Sequence, residues 1–202
     1  MARVALPSKL AALLLINCLP WSAHAAAQAE AIFGGGCFWC MEEAFEKLPG
    51  VSEVVSGYTG GKTPNPSYDQ VSSGTTGHVE VVRVLYNPEQ VSYAKLLEHF
   101  WINIDPTVKN RQFCDVGEQY RSVIYTLNAA QQQAAAKSKE DLINSGRFAK
   151  VYTTVESAQT FYVAEDYHQD FYKKNPLRYK YYKTTCGRQN RLNELWGKAT
   201  TP

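Results

Sequence analysis

Apolar residues recur along this chain with two different periods, and the two periods separate strands from helices. Alternating or continuous apolar runs predict strands over residues 31–33, 51–58, 78–86, 120–125 and 151–155. Apolar residues spaced three and four apart predict helices over residues 37–48, 93–103, 129–144, 164–172 and 189–196. Turn residues close several of these segments, as Pro49 and Gly50 do after the first helix.

The order of these elements indicates the fold class. Strands and helices interleave, but some strands follow one another without a helix between them. We therefore expect an α+β domain, a two-layer sandwich of helices packed on a mixed β-sheet, with the doubly wound α/β fold as the alternative. Residues 176–202 are expected to form a long, irregular C-terminal tail that wraps the core.

The N-terminal segment has the layout of a secretory leader. Arg3 and Lys9 precede an apolar run over residues 10–19, and small residues follow it. This three-part pattern predicts a signal peptide over residues 1–25 and a single domain over residues 26–202. We therefore expect a secreted or periplasmic protein.

A permanent membrane anchor is not expected, because the leader's apolar run is shorter than the about 20 residues of a membrane span. Cys18 leaves a lipoprotein open as an alternative, since a leader cysteine can be acylated. Asn17, which precedes it, is bulkier than such a site would be expected to accept. A soluble exported form is therefore favoured over a lipidated one.

Composition and charge narrow the function. The 202 residues carry a formal charge of +2, and removal of the leader would take away two basic residues and no acid. A neutral mature chain gives no electrostatic reason to bind nucleic acid or anionic lipid. Four cysteines would remain, Cys37, Cys40, Cys114 and Cys186, which are too few to staple a chain of this size. Redox or nucleophilic chemistry is therefore favoured over a scaffolding role for these cysteines.

The stretch over residues 32–40 joins an apolar run, three glycines and two cysteines. It predicts a strand, a tight turn and a helix whose first turn holds Cys37, where free N–H groups and the helix dipole favour a thiolate. The dipole lowers a thiol pKa by less than about one unit, so the partner electrophile must be activated from the other side. The glycines leave nothing bulky to shield the sulfur.

Three other thiol sites compete for this stretch. Cys37 and Cys40 have the C-x-x-C spacing of thioredoxin-like oxidoreductases, although Gly36 stands where their usual tryptophan would be. A cysteine followed by Trp39 is also found in papain-like proteases, but their surrounding motif is absent. The four mature cysteines could bind zinc in a binding module, yet only one C-x-x-C pair exists.

Several longer motifs follow in order along the chain. They are GCFW at 36–39, GYTGG at 57–61, PNPSY at 64–68, GHVE at 77–80, DVGEQYRS at 115–122 and AEDYHQ at 164–169. Together they resemble the peptide methionine sulfoxide reductase A family, from about residue 31 to about residue 176. The resemblance implies thiol-dependent reduction of methionine S-sulfoxide, free or in proteins, by a monomer without metal or organic cofactor. A thioredoxin-like protein would supply the electrons.

The resemblance also implies the roles of individual residues. Cys37 would attack the sulfoxide sulfur and become a sulfenic acid, which a second thiol converts to a disulfide. Phe38 and Trp39 would form the apolar wall that holds the substrate methyl group. Tyr68 and Tyr120 match the tyrosines that hydrogen-bond the sulfoxide oxygen. Asp115 matches the family acid that orders the site.

Glu80 matches the family glutamate that acts as the acid on the sulfoxide oxygen. Its strand position supports this role, because Glu80 shares a face with the apolar residues Val82 and Val84. Desolvation on such a face raises a carboxyl pKa and keeps a proton available at neutral pH.

The resolving thiol is where the chain departs from the best-known family pattern, a glycine-rich C-terminal tail with cysteines. Cys186 is the one cysteine in this tail, and Cys40 lies three residues after Cys37 on nearly the same helical face. A Cys37–Cys40 bridge would require a distorted first turn. We favour Cys40 slightly over Cys186, and give Cys114 no chemistry beyond packing.

Overall fold

The structure is a computed structural model that describes residue 1 and residues 28–197. Apart from residue 1, the predicted leader over residues 1–25 lies outside the described residues, and so does Cys18. Among the helices of the described part, none is both long and apolar enough to cross a membrane.

A six-stranded mixed β-sheet forms one layer of the domain. Its strands are β1 (Ala29–Gly35), β2 (Val51–Thr59), β3 (Val79–Tyr86), β6 (Ser122–Thr126), β7 (Thr154–Ser157) and β8 (Tyr162–Val163). They lie in the order β7-β6-β1-β3-β2-β8. Strands β6 and β7 are parallel, and the other neighbouring pairs are antiparallel. A separate two-stranded pair joins β4 (Arg111–Gln112) and β5 (Asp115–Val116).

The described residues form seven α-helices. They are α1 (Phe38–Glu46), α2 (Tyr68–Ser72), α3 (Tyr93–Ile102), α4 (Ala129–Asn144), α5 (Phe171–Lys174), α6 (Pro176–Thr185) and α7 (Arg188–Trp196). Side chains cap three of them: Ser67, Ser92 and Asn128 each accept a hydrogen bond from a backbone N–H of the first turn. These caps explain why α2, α3 and α4 begin where they do.

The main core lies between one face of the sheet and the helices. Phe33 of β1 stacks on Phe45 of α1 at 5.0 Å and on Phe100 of α3 at 5.1 Å between ring centroids. Its neighbour Ile32 faces the other way, into a smaller cluster with Val81 and other residues. Helices α1 and α3 therefore pack on the same face, and the predicted two-layer α+β sandwich is confirmed.

The C-terminal region differs from its prediction. The helix expected over residues 164–172 is reduced to α5, and the tail expected to be irregular contains the helices α6 and α7. Helix α6 buries only Tyr179 and has no continuous apolar stripe. Its inward contacts are made largely by tyrosine hydroxyls and a lysine, which a hydrophobic pattern does not detect.

Candidate active site

Cys37 lies at the junction of β1 and α1. It is the residue before the helix, with φ −49° and ψ 119°, and its carbonyl oxygen accepts from the N–H groups of Cys40 and Met41. Gly36 turns the chain here with φ +83°, and a Cβ on it would lie 2.5 Å from Cβ of Gln112. The predicted strand, turn and helix are confirmed, with Cys37 just outside the first turn.

The Cys37 thiol is buried, with 6% of the residue exposed. Burial raises its pKa well above the ordinary value, and the hydrogen bond with Cys40 and the charges of Glu80 and Asp115 act in the same direction. The expectation of an unshielded thiolate favoured by the helix start is therefore wrong. In the free protein Cys37 is a protonated thiol at neutral pH.

Glu80 lies beside Cys37 on β3. The residue is 2% exposed, and its Oε2 accepts a hydrogen bond of 3.0 Å from the backbone N–H of Phe38. Burial raises the pKa of Glu80 to about 8; the Phe38 N–H opposes this shift, and the negative charge of Asp115 adds to it. A carboxyl group that holds its proton at pH 7 can donate it, which is the property expected of an acid catalyst.

Tyr68 and Tyr120 approach the same place from α2 and from the turn over Glu118–Tyr120. Burial raises the pKa of both phenols, and the charges of Glu80, Cys37 and Asp115 act on each of them. The structure thus brings together the five side chains that the sequence assigned to the reaction. Both hydroxyls keep their protons and can donate to an oxygen placed between them.

Glu165 supports this arrangement from the region after β8. Its Oε2 accepts from the Tyr58 hydroxyl and its Oε1 accepts from the backbone N–H of Tyr68, both at 2.8 Å. Tyr58 is fully buried in β2, so Glu165 ties the start of α2 to the sheet. Sequence reasoning gave Tyr58 no contact and passed over Glu165, although both lie in the quoted motifs.

Trp39 is held on three sides. Its ring stacks on Phe171 at 3.7 Å between centroids, and Tyr182 meets it edge-on at 5.9 Å. The indole N–H donates to Nδ1 of His168 at 3.1 Å. Burial lowers the pKa of His168 to about 4, so the neutral ring is available as the acceptor. Phe38, 1% exposed, packs against His168 on the inner side.

Asp115 is oriented by the C-terminal region. Its Oδ2 accepts a hydrogen bond of 2.5 Å from the hydroxyl of Tyr182 on α6. Burial raises the pKa of Asp115, while Tyr182 and the charge of Arg188 lower it. The sequence indicated only that the tail is rich in tyrosine, so Tyr182 was missed as a contributor to the site; His168 was missed although it lies in the quoted motif at 164–169.

The four described cysteines divide into two pairs. Cys37 and Cys40 are free, buried and hydrogen-bonded to each other. Cys114 and Cys186 form a disulfide with a Cα–Cα distance of 5.0 Å across 72 residues of sequence. The packing role given to Cys114 is therefore wrong, and Cys186 is not a free thiol. A site that uses all four cysteines as zinc ligands is incompatible with this disulfide.

Residues 29–200 match the family model described as peptide methionine sulfoxide reductase. The chain belongs to this family. A peptide methionine sulfoxide reductase MsrA from Limosilactobacillus reuteri is 51% identical over 168 residues, covering 82% of this chain and 95% of the relative. One from Streptococcus agalactiae serotype III is 52% identical over 168 residues, covering 83% and 98%. The family resemblance drawn from the motifs is confirmed.

Solved structures of the family have the same fold. Mxr1 from Saccharomyces cerevisiae in reduced form aligns with a TM-score of 0.70 and 34% identity, covering 75% of this chain and 88% of that one. Methionine sulfoxide reductase A of Corynebacterium diphtheriae aligns with a TM-score of 0.68 and 35% identity, covering 74% and 76%. Mxr1 has also been solved in complex with Trx2, where it aligns with a TM-score of 0.51 and 23% identity, covering 73% and 86%.

Proposed function

We propose that this protein reduces methionine S-sulfoxide, free or in proteins, to methionine through thiol chemistry at Cys37. The observation that carries the proposal is the buried Glu80 carboxyl, protonated at neutral pH and placed beside the Cys37 thiol. Two protonated tyrosines, Tyr68 and Tyr120, flank the same space. A thiol, an acid and two hydroxyl donors match a substrate with an electrophilic sulfur and a basic oxygen.

The first step transfers oxygen from substrate to enzyme. The Cys37 sulfur supplies an electron pair to the sulfoxide sulfur, and Glu80 gives its proton to the oxygen as it gains charge. A bond forms between the Cys37 sulfur and the substrate sulfur as the S–O bond breaks, and the protons of Glu80 and of the thiol leave with the oxygen as water. The oxygen of this water then bonds to the Cys37 sulfur as the S–S bond breaks, which releases methionine, leaves Cys37 as a sulfenic acid and returns one proton to Glu80. Phe38 and Trp39 form the apolar wall for the substrate methyl group.

Cys40 is the favoured resolving thiol. It is hydrogen-bonded to Cys37, and Cys37 already has the non-helical backbone that a bridge to Cys40 requires. Cys186 is engaged with Cys114 and would have to be released by reduction before it could act. Attack of Cys40 on the sulfenic acid forms the disulfide and releases water.

A dithiol protein of the thioredoxin type then reduces the disulfide and restores both thiols. Support for this partner comes from Mxr1, a structural relative that has been solved with Trx2. The two half-reactions balance with thiols and protons alone, so neither a metal nor an organic cofactor enters the proposal.

Export to the periplasm or the exterior remains part of the proposal. It is supported by the leader pattern over residues 1–25, which lies outside the described residues apart from residue 1. An oxidising compartment would require a dedicated supply of electrons to the protein. We propose that the protein works as a monomer.

A single-turnover measurement tests the activity. Reduced protein is mixed anaerobically with each epimer of a methionine sulfoxide peptide, without added reductant, and methionine is counted per protein molecule. We expect about one methionine from the S epimer and none from the R epimer, with loss of the Cys37 and Cys40 thiols. Absence of methionine with both epimers would reject the assignment.

Mapping the disulfide tests the resolving step. The Cys40→Ser variant is expected to form methionine once and to keep a sulfenic acid that a dimedone probe traps on Cys37. The matched Cys186→Ser variant is expected to form the same Cys37–Cys40 disulfide. Full recycling by Cys40→Ser would show that another thiol resolves the intermediate.

A further inference from the structure

The helices α6 and α7, Pro176–Trp196, form a C-terminal strap that closes over Cys40. Cys40 is 4% exposed and packs in a small apolar cluster with Phe171 and Tyr179. The family motifs identified in the sequence end at residue 169, before the strap begins. The strap therefore belongs to the surroundings of the second thiol, and its role lies outside the reduction of the sulfoxide itself.

Covalent and polar contacts fix the strap in place. Cys186, between α6 and α7, is bonded to Cys114, whose backbone N–H also donates to the Cys186 sulfur at 3.2 Å. On α6, the Tyr182 hydroxyl donates to Asp115. One end of the strap is thereby tied to the loop that carries a residue of the active site.

Arg188 begins α7, two residues after the disulfide. It is 4% exposed; its Nη2 donates to the carbonyl oxygen of Asn103 at 2.6 Å and lies 3.2 Å from the sulfur of Met41, the residue after Cys40. The guanidinium also lies over the ring of Phe113 at 4.4 Å from its centroid. Among the ion pairs of residues 28–197, none includes Arg188.

A buried cation without a carboxylate partner is costly, and such groups are usually paired. The other strap cation near Cys40, Lys183, has a carboxylate partner. Lys183 and Tyr179 both donate to Glu43 at 2.5 Å, so the charge of Lys183 is balanced and the phenol proton is engaged. Arg188 is thus a buried strap cation beside Met41 that has no carboxylate at ion-pair distance within residues 28–197, and its charge acts on Asp115 at longer range.

We propose that Arg188 is a positioning residue for the resolving step: its buried guanidinium stabilises Cys40 as an anion, and the Cys114–Cys186 disulfide holds it there. This inference rests on the proposed function, in which Cys40 attacks the sulfenic acid of Cys37. In that attack the Cys40–Cys37 S–S bond forms and the S–O bond of the sulfenic acid breaks. The departing hydroxide takes up a proton and leaves as water.

The titratable groups around Cys40 favour an anionic Cys40 beside a protonated Cys37. Those that face it are Cys37 on the same turn, Glu80 on β3, and Tyr179, Tyr182, Lys183 and Arg188 on the strap. The hydrogen bond with Cys37, then the charge of Arg188, the hydrogen bond with Tyr179 and the charge of Lys183 lower the pKa of Cys40 to about 6, against the opposing effect of burial. The same surroundings keep the proton on Cys37.

The test follows the ionisation of Cys40 directly. In a Cys37→Ser background the hydroxyl still hydrogen-bonds Cys40, and iodoacetamide alkylation of Cys40 is followed by peptide mass spectrometry from pH 5 to 10. Arg188→Gln keeps a donor for the Asn103 carbonyl and removes the charge. We expect the midpoint to rise by at least one pH unit from about 6, so that alkylation at pH 6 falls at least about fivefold.

Two further variants separate charge from structure. Arg188→Lys keeps the charge, so its midpoint should stay near that of the parent. Arg191→Gln is the matched control, because Arg191 lies on the same helix but is paired with Asp105 and Glu194. Equal midpoints in the parent and Arg188→Gln, or an equal rise in Arg188→Lys or Arg191→Gln, would overturn the proposal.

The disulfide is tested in the same assay. Cys114→Ser frees the strap from its loop and is expected to raise the Cys40 midpoint toward that of Arg188→Gln; an unchanged midpoint would overturn this part. In proteins with Cys37 intact, Arg188→Gln is expected to slow disulfide formation more than methionine formation. The alkylation assay needs no turnover, so it reports on Arg188 even if the reductase activity or the role of Cys40 is refuted.

Discussion

Glu80→Gln is the substitution that most directly tests the chemistry of the site. The amide has almost the same size as the carboxyl group, and its oxygen can still accept the hydrogen bond from the Phe38 N–H. What disappears is the acidic proton. Because Glu80 is buried, the change leaves the protein surface unaltered, and the effects can be assigned to the carboxyl group.

The kinetic magnitude follows from the pKa of about 8. At pH 7 about nine tenths of the Glu80 carboxyls hold a proton, and at pH 9 about one tenth do. Loss of a general acid slows a reaction by about 10²–10⁴-fold, or roughly 3–5 kcal/mol of activation free energy. We expect Glu80→Gln to slow methionine formation in a single turnover by this factor, and the fall in rate above pH 8 to disappear.

The same substitution changes the pH dependence of stability. Glutamate in the unfolded chain loses its proton near pH 4.5, whereas Glu80 in the fold keeps it to about pH 8. The folded state therefore binds an extra proton, so the stability contributed by Glu80 protonation is fully present below pH 4.5 and declines as the pH rises to 8. The loss amounts to about 1.4 kcal/mol per pH unit, roughly 5 kcal/mol in all. Glu80→Gln has no proton to lose at this position and should not show this pH-dependent loss of stability.

Rapid-quench measurement of methionine gives the single-turnover rate. Urea unfolding at pH 5 and at pH 8.5 gives the change in stability. Glu53→Gln, an exposed position on β2, is the control and should behave as the unmodified protein. An unchanged single-turnover rate in Glu80→Gln would refute the role of Glu80 as the acid. The raised pKa of Glu80 is refuted if that variant loses as much stability between the two pH values as the unmodified protein does.

Three further predictions concern the surroundings of the thiol. Tyr182→Phe removes the hydrogen bond to Asp115 and should lower kcat about 10–100-fold, the effect of losing about 1.5–3 kcal/mol, with an intact fold by circular dichroism. Cys114→Ser opens a loop closed across 72 residues to Cys186, so the free energy of unfolding should fall by about 4 kcal/mol in urea titrations; an equal loss in the unmodified protein after reduction would support this cause. Trp39→Ala should raise KM more than it lowers kcat in steady-state assays, since its ring is proposed to form part of the substrate wall; an effect on kcat alone would contradict that role.

Local pattern was sufficient for much of the sheet and for the helices that bury an apolar stripe. Helix α4 has the limits that its sequence predicts, because Asn128 caps its first turn and the periodic segment is long. Helix α6 escaped prediction because tyrosine hydroxyls and a lysine make its contacts, and these are polar pairings with distant residues. No period in the sequence reports such contacts.

The sequence by itself determined the family and the fold class, and it predicted Cys37 as the nucleophile and Glu80 as the acid. Long motifs specify all of these, and Glu80 sits on a strand face whose apolar neighbours are visible in the chain. Only the tertiary structure decided that Cys37 is buried and protonated, that Cys186 pairs with Cys114, and that a strap closes over Cys40. Desolvation and long-range pairing depend on which distant segments meet in space, and neither quantity is encoded in local spacing.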